Sequence, residues 1–450
     1  MNVEKDQALN SDTLISARWV IPVNPSGVVH DHHSLVVSGG RIKEILPTGK
    51  AMKKYKGISV QAFPNHVLIP GLINAHTHAS MSLLRGLADD MPLMTWLNNH
   101  IWPAEGRWVN EEFIADGTRL AIAEMIRGGT TCFNDMYFYP DVTGMVSAAA
   151  GIRAVVGLIL LDFPSAWAAD PDEYFHKGLE VHDHFRHNAL VKTAFAPHAP
   201  YSVSDDPLVR VRTLADELEI PIHMHVHETH DEIDMGLKRH GKRPIARLDE
   251  LGLLSPSLVA VHMTQLETEE LTSFAGAGAS VVHCPESNLK LASGFCPVGE
   301  LVDAGINVAI GTDGAASNND LDMFSEMRTA ALLAKCVSKN ASTLPAAEAL
   351  RMATLNGAAA LGIENETGSL EVGKAADICA VDLGGLESAP IYHPTSQLVY
   401  ATGRDQVTDV WVAGKQLLKE RRLTTLDVDT IIDRSREWRN RIAEADAENR

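Results

Sequence analysis

The chain has 450 residues, of which 45% are hydrophobic and 22% charged, so it is globular with ample apolar material for a large core. Thirty-nine Lys and Arg oppose 58 Asp and Glu, and the resulting net charge of −19, with no basic run, argues against nucleic acid or a membrane surface as a partner. No apolar stretch approaches the roughly 20 residues that span a bilayer. The lack of a secretory signal and five cysteines without a paired pattern predict a cytoplasmic location.

The N-terminal part of the chain has the pattern of short strands. Apolar pieces at 13–22, 34–37 and 41–46 are separated by Asn-Pro-Ser-Gly and Gly-Gly turn signals. We expect residues 1–66 to supply one part of a small β-rich domain.

The middle of the chain, residues 67–365, alternates apolar runs with segments of helical periodicity such as 111–127, 205–219, 267–277 and 321–337. Parallel strands buried on both faces read as continuous apolar runs, so eight such runs predict an α/β fold with a (β/α)₈ TIM barrel as the catalytic domain. A doubly wound sheet would place a glycine-rich phosphate loop after its first strand, where Asn74-Ala-His-Thr-His stands instead. The eight runs are 67–78, 130–134, 153–161, 191–197, 221–227, 258–262, 279–284 and 307–312.

The C-terminal residues 366–450 return to short strand-like pieces and end in a polar helix at about 426–446. Two β-rich ends that flank a barrel can pair with each other. We therefore expect a second, discontinuous domain, a small β-sandwich formed by residues 1–66 and 366–450.

Histidines at strand ends are the first candidates for chemistry. His76 and His78 end the first barrel strand, where residues i and i+2 point to the same side, and this rim is where such barrels carry their active sites. The fifth strand supplies His223, His225 and His227, three imidazoles that are costly to bury without partners. At least one of these three should bind something.

Strands six and eight end in His262 and Asp313. Each residue alone is an ordinary core or turn residue, but the barrel brings both to the rim that carries His76, His78 and a fifth-strand histidine. This coincidence favours a metal site. The segment His227-Glu-Thr-His is not a metalloprotease motif, because its second histidine comes one residue too early for helical i, i+4 geometry.

Several motifs together resemble the amidohydrolase superfamily across essentially the whole chain. They are Pro70-Gly-Leu-Ile-Asn-Ala-His-Thr-His, the His-x-x-Glu of His225 to Glu228, His262, Gly311-Thr-Asp-Gly, and Gly368-x-Leu-x-x-Gly-Lys-x-Ala-Asp. Further segments resemble the 5′-methylthioadenosine/S-adenosylhomocysteine deaminases, with chlorotriazine hydrolases and guanine deaminases as close relatives. These segments include Leu83-Leu-Arg-Gly-Leu-Ala-Asp-Asp, Pro197-His-Ala-Pro-Tyr-Ser and Ser287-Asn-Leu-Lys-Leu.

The resemblance implies one divalent metal ion per chain, Zn²⁺ with Fe²⁺ or Mn²⁺ as alternatives, held by His76, His78, His225 and Asp313. Dinuclear relatives have a carboxylated lysine at the end of strand four, and this chain has none there.

The resemblance also implies roles for the remaining site residues. Glu228 matches the proton shuttle and contacts the substrate, and His262 and Asp313 orient the attacking water. Glu105 and His198 match the residues that contact the substrate.

The implied reaction is the hydrolytic deamination of a purine nucleoside, a small-molecule substrate, by a protein that we expect to be a homodimer or homotetramer. Relatives that accept S-adenosylhomocysteine carry arginines on and just after the third strand, and residues 157–167 have none. This favours 5′-methylthioadenosine, whose apolar tail Leu158, Leu160 and Phe163 would suit. If a cation elsewhere meets the longer substrate, Arg85 and Arg107 are the candidates. The alternative function is a guanine deaminase or chlorotriazine hydrolase of the same mechanism.

Overall fold

The structure, a computed structural model, describes residues 12–448, so the ends of the two expected terminal segments, 1–11 and 449–450, lie outside it. Its strands form two sheets of eight. The strands are β1 Thr13–Val20, β2 His30–Ser38, β3 Arg41–Pro47, β4 Ser59–Pro70, β5 Leu72–Thr77, β6 Thr130–Asp135, β7 Arg153–Leu160, β8 Val191–Pro197, β9 Ile222–Val226, β10 Leu258–His262, β11 Ser280–His283, β12 Asn307–Ile310, β13 Ile378–Asp382, β14 Val407–Val412, β15 Lys415–Lys419 and β16 Arg422–Leu423.

Most helices lie between the strands β5 to β12 or follow β12, as the sequence pattern predicts. They are α1 Thr48–Lys54, α2 Leu93–Trp96, α3 Trp102–Trp108, α4 Glu111–Arg127, α5 Pro140–Ala150, α6 Pro171–Phe185, α7 Asp205–Leu218, α8 His230–His240, α9 Pro244–Glu250, α10 Thr268–Ala277, α11 Pro285–Lys290, α12 Val298–Asp303, α13 Met323–Ser338, α14 Ala346–Met352, α15 Leu355–Ala360, α16 Pro394–Tyr400 and α17 Val428–Glu448. A short 3₁₀ helix, Ala79–Leu84, follows β5, and a π-helical turn, Leu97–Ile101, joins α2 to α3.

Strands β5 to β12 form a parallel sheet in sequence order, which confirms the (β/α)₈ barrel. The first and last strands are held together at the rim. Asn74 Nδ2 donates to Oγ1 of Thr312 at 2.8 Å, and the backbone N–H of Asp313 donates to the carbonyl of His76 at 3.0 Å. All parallel strands therefore end at one rim, where the loops that follow them meet.

The first apolar run, 67–78, is divided between the two sheets rather than forming one barrel strand. β4 pairs with β1 and β13, while β5 starts the barrel. The chain changes sheet at Gly71, whose N–H donates to the carbonyl of Asp377 and where any side chain would collide with Thr131. The continuous hydrophobicity of this run hid the break, because both halves are fully buried.

The second sheet joins the two chain ends, in the order β16-β15-β14-β13-β4-β1-β2-β3. It folds back on itself where the N–H of Ala376 donates to the carbonyl of Gly40 and the N–H of Ile42 donates to that of Lys374, both at 2.9 Å. The fold encloses a separate apolar core. This confirms the pairing of the chain ends, while the exact boundaries at 66/67 and 365/366 stay predictions.

Two contacts fasten this sheet and the C-terminal helix to the barrel. The guanidinium of Arg153, in β7, lies 2.5 Å from the carboxylate of Asp377 before β13. Trp438 of α17 packs edge-on against Phe113 of α4 and donates its indole N–H to Asp116. Among residues 12–448 no helix is both long and apolar enough to cross a membrane.

Candidate active site

Four side chains expected to bind a metal lie together at the C-terminal rim of the barrel. His76 and His78 are at the end of β5, His225 is in β9, and Asp313 follows β12. The Nε2 atoms of His76 and His78 lie 3.3 and 3.2 Å from Oδ1 of Asp313. Nε2 of His225 lies 3.2 Å from Nε2 of His76. Ligand atoms of His76, His78 and His225 lie within 4.8 Å of one another, and so do those of His76, His262 and Asp313. The two groups share His76, so they surround one candidate metal position.

The backbone at these strand ends adopts the left-handed conformation. The φ angle is 63° at Asp313 and 78° at His262. A non-glycine residue in this region carries a cost of order 1–3 kcal/mol, and such residues cluster at functional sites. The surrounding hydrogen bonds hold the strained turns in place, since Asn74 Oδ1 accepts from the N–H of Thr312 at 3.0 Å.

Each candidate histidine ligand is oriented by a partner on its Nδ1 atom. Nδ1 of His78 lies 2.5 Å from the carbonyl oxygen of Met136, and Nδ1 of His225 lies 2.9 Å from that of His198. A carbonyl only accepts, so in both rings Nδ1 carries the proton and the lone pair of Nε2 faces the cluster. Nδ1 of His76 instead shares a hydrogen bond of 3.1 Å with Nε2 of a second histidine, His223.

Asp313 is held as firmly as the histidines. Its Oδ2 accepts from the hydroxyls of Ser287 and Ser317 at 2.6 and 2.7 Å, and its Oδ1 accepts from the N–H of Gly314 at 2.8 Å. Both oxygens are therefore fixed before any ion binds. Three imidazoles and one carboxylate are a donor set that suits Zn, Fe or Mn and leaves a position for water. The residues present fit the metal that the amidohydrolase resemblance implies.

Burial and charge shift the protonation of this cluster. Burial lowers the pKa of His76 to about 4 and lowers that of His225 well below its usual range. Burial also opposes charge on His78, but its hydrogen bond to Asp313 raises the pKa to about 9. Burial would raise the pKa of Asp313, but the hydrogen bonds from His76 and His78 hold it well below its usual range. Asp313 is therefore ionised, as a metal ligand must be, whereas His78 has to release a proton when a metal binds.

His262 belongs to the cluster, since a ring nitrogen lies within 4.8 Å of ligand atoms of His76 and Asp313, and it faces Glu228. Oε2 of Glu228 lies 3.8 Å from Nε2 of His262. Burial raises the pKa of Glu228, and the nearby charge of His262 opposes that shift. Nδ1 of His262 lies 2.9 Å from Oδ1 of Asn288, which accepts its proton and directs Nε2 towards Glu228. The backbone N–H groups of His227 and Glu228 donate to the two carboxylate oxygens of Glu232 at 2.9 and 2.8 Å, which fixes this turn.

The two expected substrate contacts, Glu105 and His198, line the same cavity as Glu228. Glu105 lies in α3, accepts a 2.7 Å hydrogen bond from the hydroxyl of Tyr137, and has its pKa raised by burial to about 7. His198 follows β8 with Nδ1 3.0 Å from the hydroxyl of Ser202, and burial lowers its pKa to about 3. At neutral pH His198 is therefore an uncharged hydrogen-bonding group.

The cavity has a volume of about 750 Å³, which is within the size range of small-molecule sites. Beyond the polar groups around the cluster, most of its lining is apolar. Phe163 lines it as expected, but Leu158 and Leu160 do not. Strand alternation points these two leucines into the core, and Ile159 and Leu161 face the cavity instead. The apolar lining consists chiefly of Met81, Leu93, Met94, Trp96, Leu97, Ile101, Trp102, Ile159, Leu161, Phe163 and Leu291.

Sequence reasoning missed most of the groups that orient the site. Nothing in the one-dimensional pattern marked His223 as the partner of His76, Tyr137 as the partner of Glu105, or Glu232 as the cap of the Glu228 turn. Ser287 and Asn288 did carry a signal, since they lie in the segment Ser287-Asn-Leu-Lys-Leu on which part of the resemblance rests, in α11 after the seventh barrel strand.

Comparison with known proteins agrees with this geometry. Residues 67–417 match the amidohydrolase family. A protein named 5-methylthioadenosine/S-adenosylhomocysteine deaminase from Saccharophagus degradans is 50% identical over 432 residues, which are 96% of this chain and 97% of that protein. A protein of the same name from Aquifex aeolicus is 39% identical over 410 residues, 91% of this chain and 94% of that protein.

Solved structures share the fold over nearly the whole chain. An adenosine deaminase from Xanthomonas campestris with bound zinc is 54% identical, with a TM-score of 0.95 and coverage of 96% of this chain and 99% of that chain. Atrazine chlorohydrolase TrzN from Arthrobacter aurescens, complexed with zinc, has a TM-score of 0.88 over 95% and 99% of the two chains at 24% identity, which shows the common fold alone. The chain thus belongs to the amidohydrolase family and, within it, to the family of the 5-methylthioadenosine/S-adenosylhomocysteine deaminases.

Proposed function

We propose that this protein is a metal-dependent hydrolytic deaminase that converts 5′-methylthioadenosine to the corresponding inosine derivative and ammonia, with adenosine and S-adenosylhomocysteine as further substrates. The observation that carries the proposal is the position of Glu228, a buried carboxyl group facing His262 beside a cluster of three histidines and Asp313 in a ligand-sized cavity. The names of the relatives at 39–50% identity support the substrate class.

One divalent ion, Zn²⁺ with Fe²⁺ or Mn²⁺ as alternatives, would be held by His76, His78, His225 and Asp313. Such an ion supplies Lewis acidity that lowers the pKa of water and makes it a nucleophile at neutral pH. The adenosine deaminase of Xanthomonas campestris contains zinc, which supports the same choice here.

The proton transfers fall to Glu228. Water adds to C6 of the adenine ring, and Glu228 takes the proton that this water loses and delivers it to N1 of the ring. The raised pKa of Glu228 suits a group that must accept and release a proton near neutral pH. His262 holds the attacking water on the face of C6, and the remaining hydroxyl proton leaves with the amine as ammonia.

Glu105 and His198 bind the rest of the nucleoside. The carboxylate of Glu105 can accept hydrogen bonds from the ribose hydroxyls, and the neutral ring of His198 can bind a purine nitrogen. The apolar wall with Ile159, Leu161 and Phe163 suits a methylthio group. These three wall residues carry no charge and favour an apolar tail over a zwitterionic one, so we expect 5′-methylthioadenosine to be used better than S-adenosylhomocysteine.

The test is a substrate panel with the purified metal-loaded protein. Ultraviolet spectra and chromatography should show conversion of the adenine chromophore to hypoxanthine with one ammonia per turnover, and the highest kcat/KM for 5′-methylthioadenosine. Turnover of guanine or a chlorotriazine, with no adenosine derivative accepted, would contradict the proposal and favour the alternative function. The cytoplasmic location and the dimeric or tetrameric state stay predictions.

A further inference from the structure

The cavity contains a cation that the sequence analysis did not single out. Of the lysines and arginines in residues 12–448, Arg239 is the only one that lines the cavity. Arg85 pairs with Glu124, and Arg107 lies over the ring of Trp108, so neither candidate from the sequence analysis reaches it. Arg239 is therefore the Lys or Arg side chain of the lining that could bind an anionic part of a ligand.

Helix α8 directs Arg239 to this position. Met235 and Arg239 are four residues apart, so they share a helix face, and both line the cavity. Nη1 of Arg239 donates to the carbonyl of Tyr201 at 2.8 Å, which anchors one edge of the guanidinium. No carboxylate of the described residues pairs with it. The remaining N–H groups are free to bind a ligand.

An acidic side chain of the same rim complements this cation. Asp162 stands two residues after the end of β7, lines the cavity, and is exposed. Its N–H donates to the carbonyl of Ser202 at 3.1 Å, and its Oδ1 accepts from the hydroxyl of Ser204 at 3.2 Å. Arg239 and Asp162 are thus anchored to one turn, residues 201–204, without pairing with each other. The rim thus carries two opposite charges held by the same turn.

We propose that this rim binds the amino-acid end of a thioether nucleoside, with its carboxylate at Arg239 and its ammonium group at Asp162. The inference rests on the proposed function. The amino-acid end is what distinguishes S-adenosylhomocysteine from 5′-methylthioadenosine, and a zwitterion placed against the apolar wall alone would lose its hydration without compensation. A guanidinium binds a carboxylate with paired N–H donors, and Asp162 supplies the counter-charge for the amine. The segment 157–167, which lacks arginine, thus contributes an acid, Asp162, to this subsite.

The test compares four substrates: 5′-methylthioadenosine, S-adenosylhomocysteine, and two thioether analogues that carry only the terminal carboxylate or only the terminal amine. The measured quantity is the ratio of kcat/KM for each substrate to kcat/KM for 5′-methylthioadenosine. Arg239→Ala should lower this ratio about fivefold for the two substrates with a carboxylate, as expected for a partly solvated charge contact. Asp162→Asn should lower the same ratio for the two substrates with an amine. Lys238→Ala removes the same charge from α8 outside the cavity and should leave every ratio unchanged.

Equal ratios in Arg239→Ala and wild-type protein would overturn the subsite, as would an equal effect of Lys238→Ala. If wild-type protein does not turn over S-adenosylhomocysteine, this compound should still inhibit deamination of 5′-methylthioadenosine, more weakly in Arg239→Ala. Absence of both turnover and inhibition would also overturn the subsite. These failures leave deamination of 5′-methylthioadenosine intact, whereas failure of the proposed function removes hypoxanthine formation from all four substrates.

Discussion

The carboxyl group of Glu228 lies 3.8 Å from Nε2 of His262 and on the edge of the histidine cluster, not within it. This separation predicts that Glu228→Gln protein keeps its metal and binds substrate but loses chemistry. General acid–base groups contribute about 10²–10⁴-fold, and a group used for two proton transfers should reach the upper end. Metal content, substrate affinity and kcat of the variant measure the three effects separately. A metal-free variant would make Glu228 a ligand.

Asp313→Asn is the matched comparison, because it removes the same charge from a group inside the cluster. Oδ1 of Asp313 is within 3.3 Å of Nε2 of both His76 and His78. A neutral amide is a poorer ligand than a carboxylate, so this variant should lose metal as well as activity. If it retains metal as tightly as Glu228→Gln does, Asp313 acts in proton transfer alone.

The metal stoichiometry should be one divalent ion per chain. The candidate ligands converge on one position, and β8 ends in Ala196 and Pro197 without a lysine that could bridge two ions. His76→Ala and His225→Ala should each abolish metal retention and turnover, while His187→Ala, at an exposed position, should change neither. Elemental analysis of protein dialysed after loading decides the matter, and two ions per active chain would contradict the mononuclear site.

The fold and the identity of the site residues could be predicted because both depend on local pattern. Apolar runs separated by helical segments predict the barrel, and His76, His78, His262 and Asp313 stand where strands end, so the topology alone brings them to one rim. The roles assigned to these residues stay predictions. Two predictions were wrong: that the first run is one strand, which the structure divides at Gly71, and which side chains of β7 face the cavity. Complete burial removes the alternation that would reveal which side each residue faces. The hydrogen-bond partners of His262 and Glu105, Asn288 and Tyr137, lie 26 and 32 residues away in the sequence. The local pattern around His262 or Glu105 therefore does not predict them.

His223 should raise the metal affinity of the site through its hydrogen bond to His76. Its Nε2 shares a 3.1 Å hydrogen bond with Nδ1 of His76, and its other nitrogen contacts Asn134 at 2.9 Å. Loss of such an orienting partner typically weakens metal affinity 10–100-fold. His223→Leu should therefore raise the Kd for zinc by about that factor, whereas His223→Gln, which keeps a hydrogen-bonding group, should recover part of it. Equal affinities in the two variants would reduce His223 to a space-filling role.

The last prediction concerns pH and Glu105. Burial raises the pKa of this carboxyl group from 4.5 to about 7, although Tyr137 and His78 oppose the shift. The ionised form is the one that accepts hydrogen bonds from ribose hydroxyls, so kcat/KM should rise as the pH increases through about 7. Stability should change in the opposite direction. The folded state holds the proton more tightly than the unfolded state, so the free energy of unfolding falls as pH rises from 4.5 to about 7.

Glu105→Gln should remove the contribution of Glu105 to both trends, because an amide does not ionise in this range. Its kcat/KM should be lower and independent of pH near 7, and its free energy of unfolding should fall less steeply between 4.5 and 7 than that of the wild type, because other buried carboxyl groups such as Glu232 still titrate. A substrate without ribose hydroxyls, 2′,3′-dideoxyadenosine, is the matched control. With this substrate, kcat/KM of the wild-type protein should not show the rise with pH that depends on Glu105. Denaturant unfolding and kcat/KM profiles over this range measure the two trends. If the acidic limb persists unchanged in Glu105→Gln, the titrating group is Glu228, whose pKa burial also raises, and Glu105 binds the nucleoside in its protonated form.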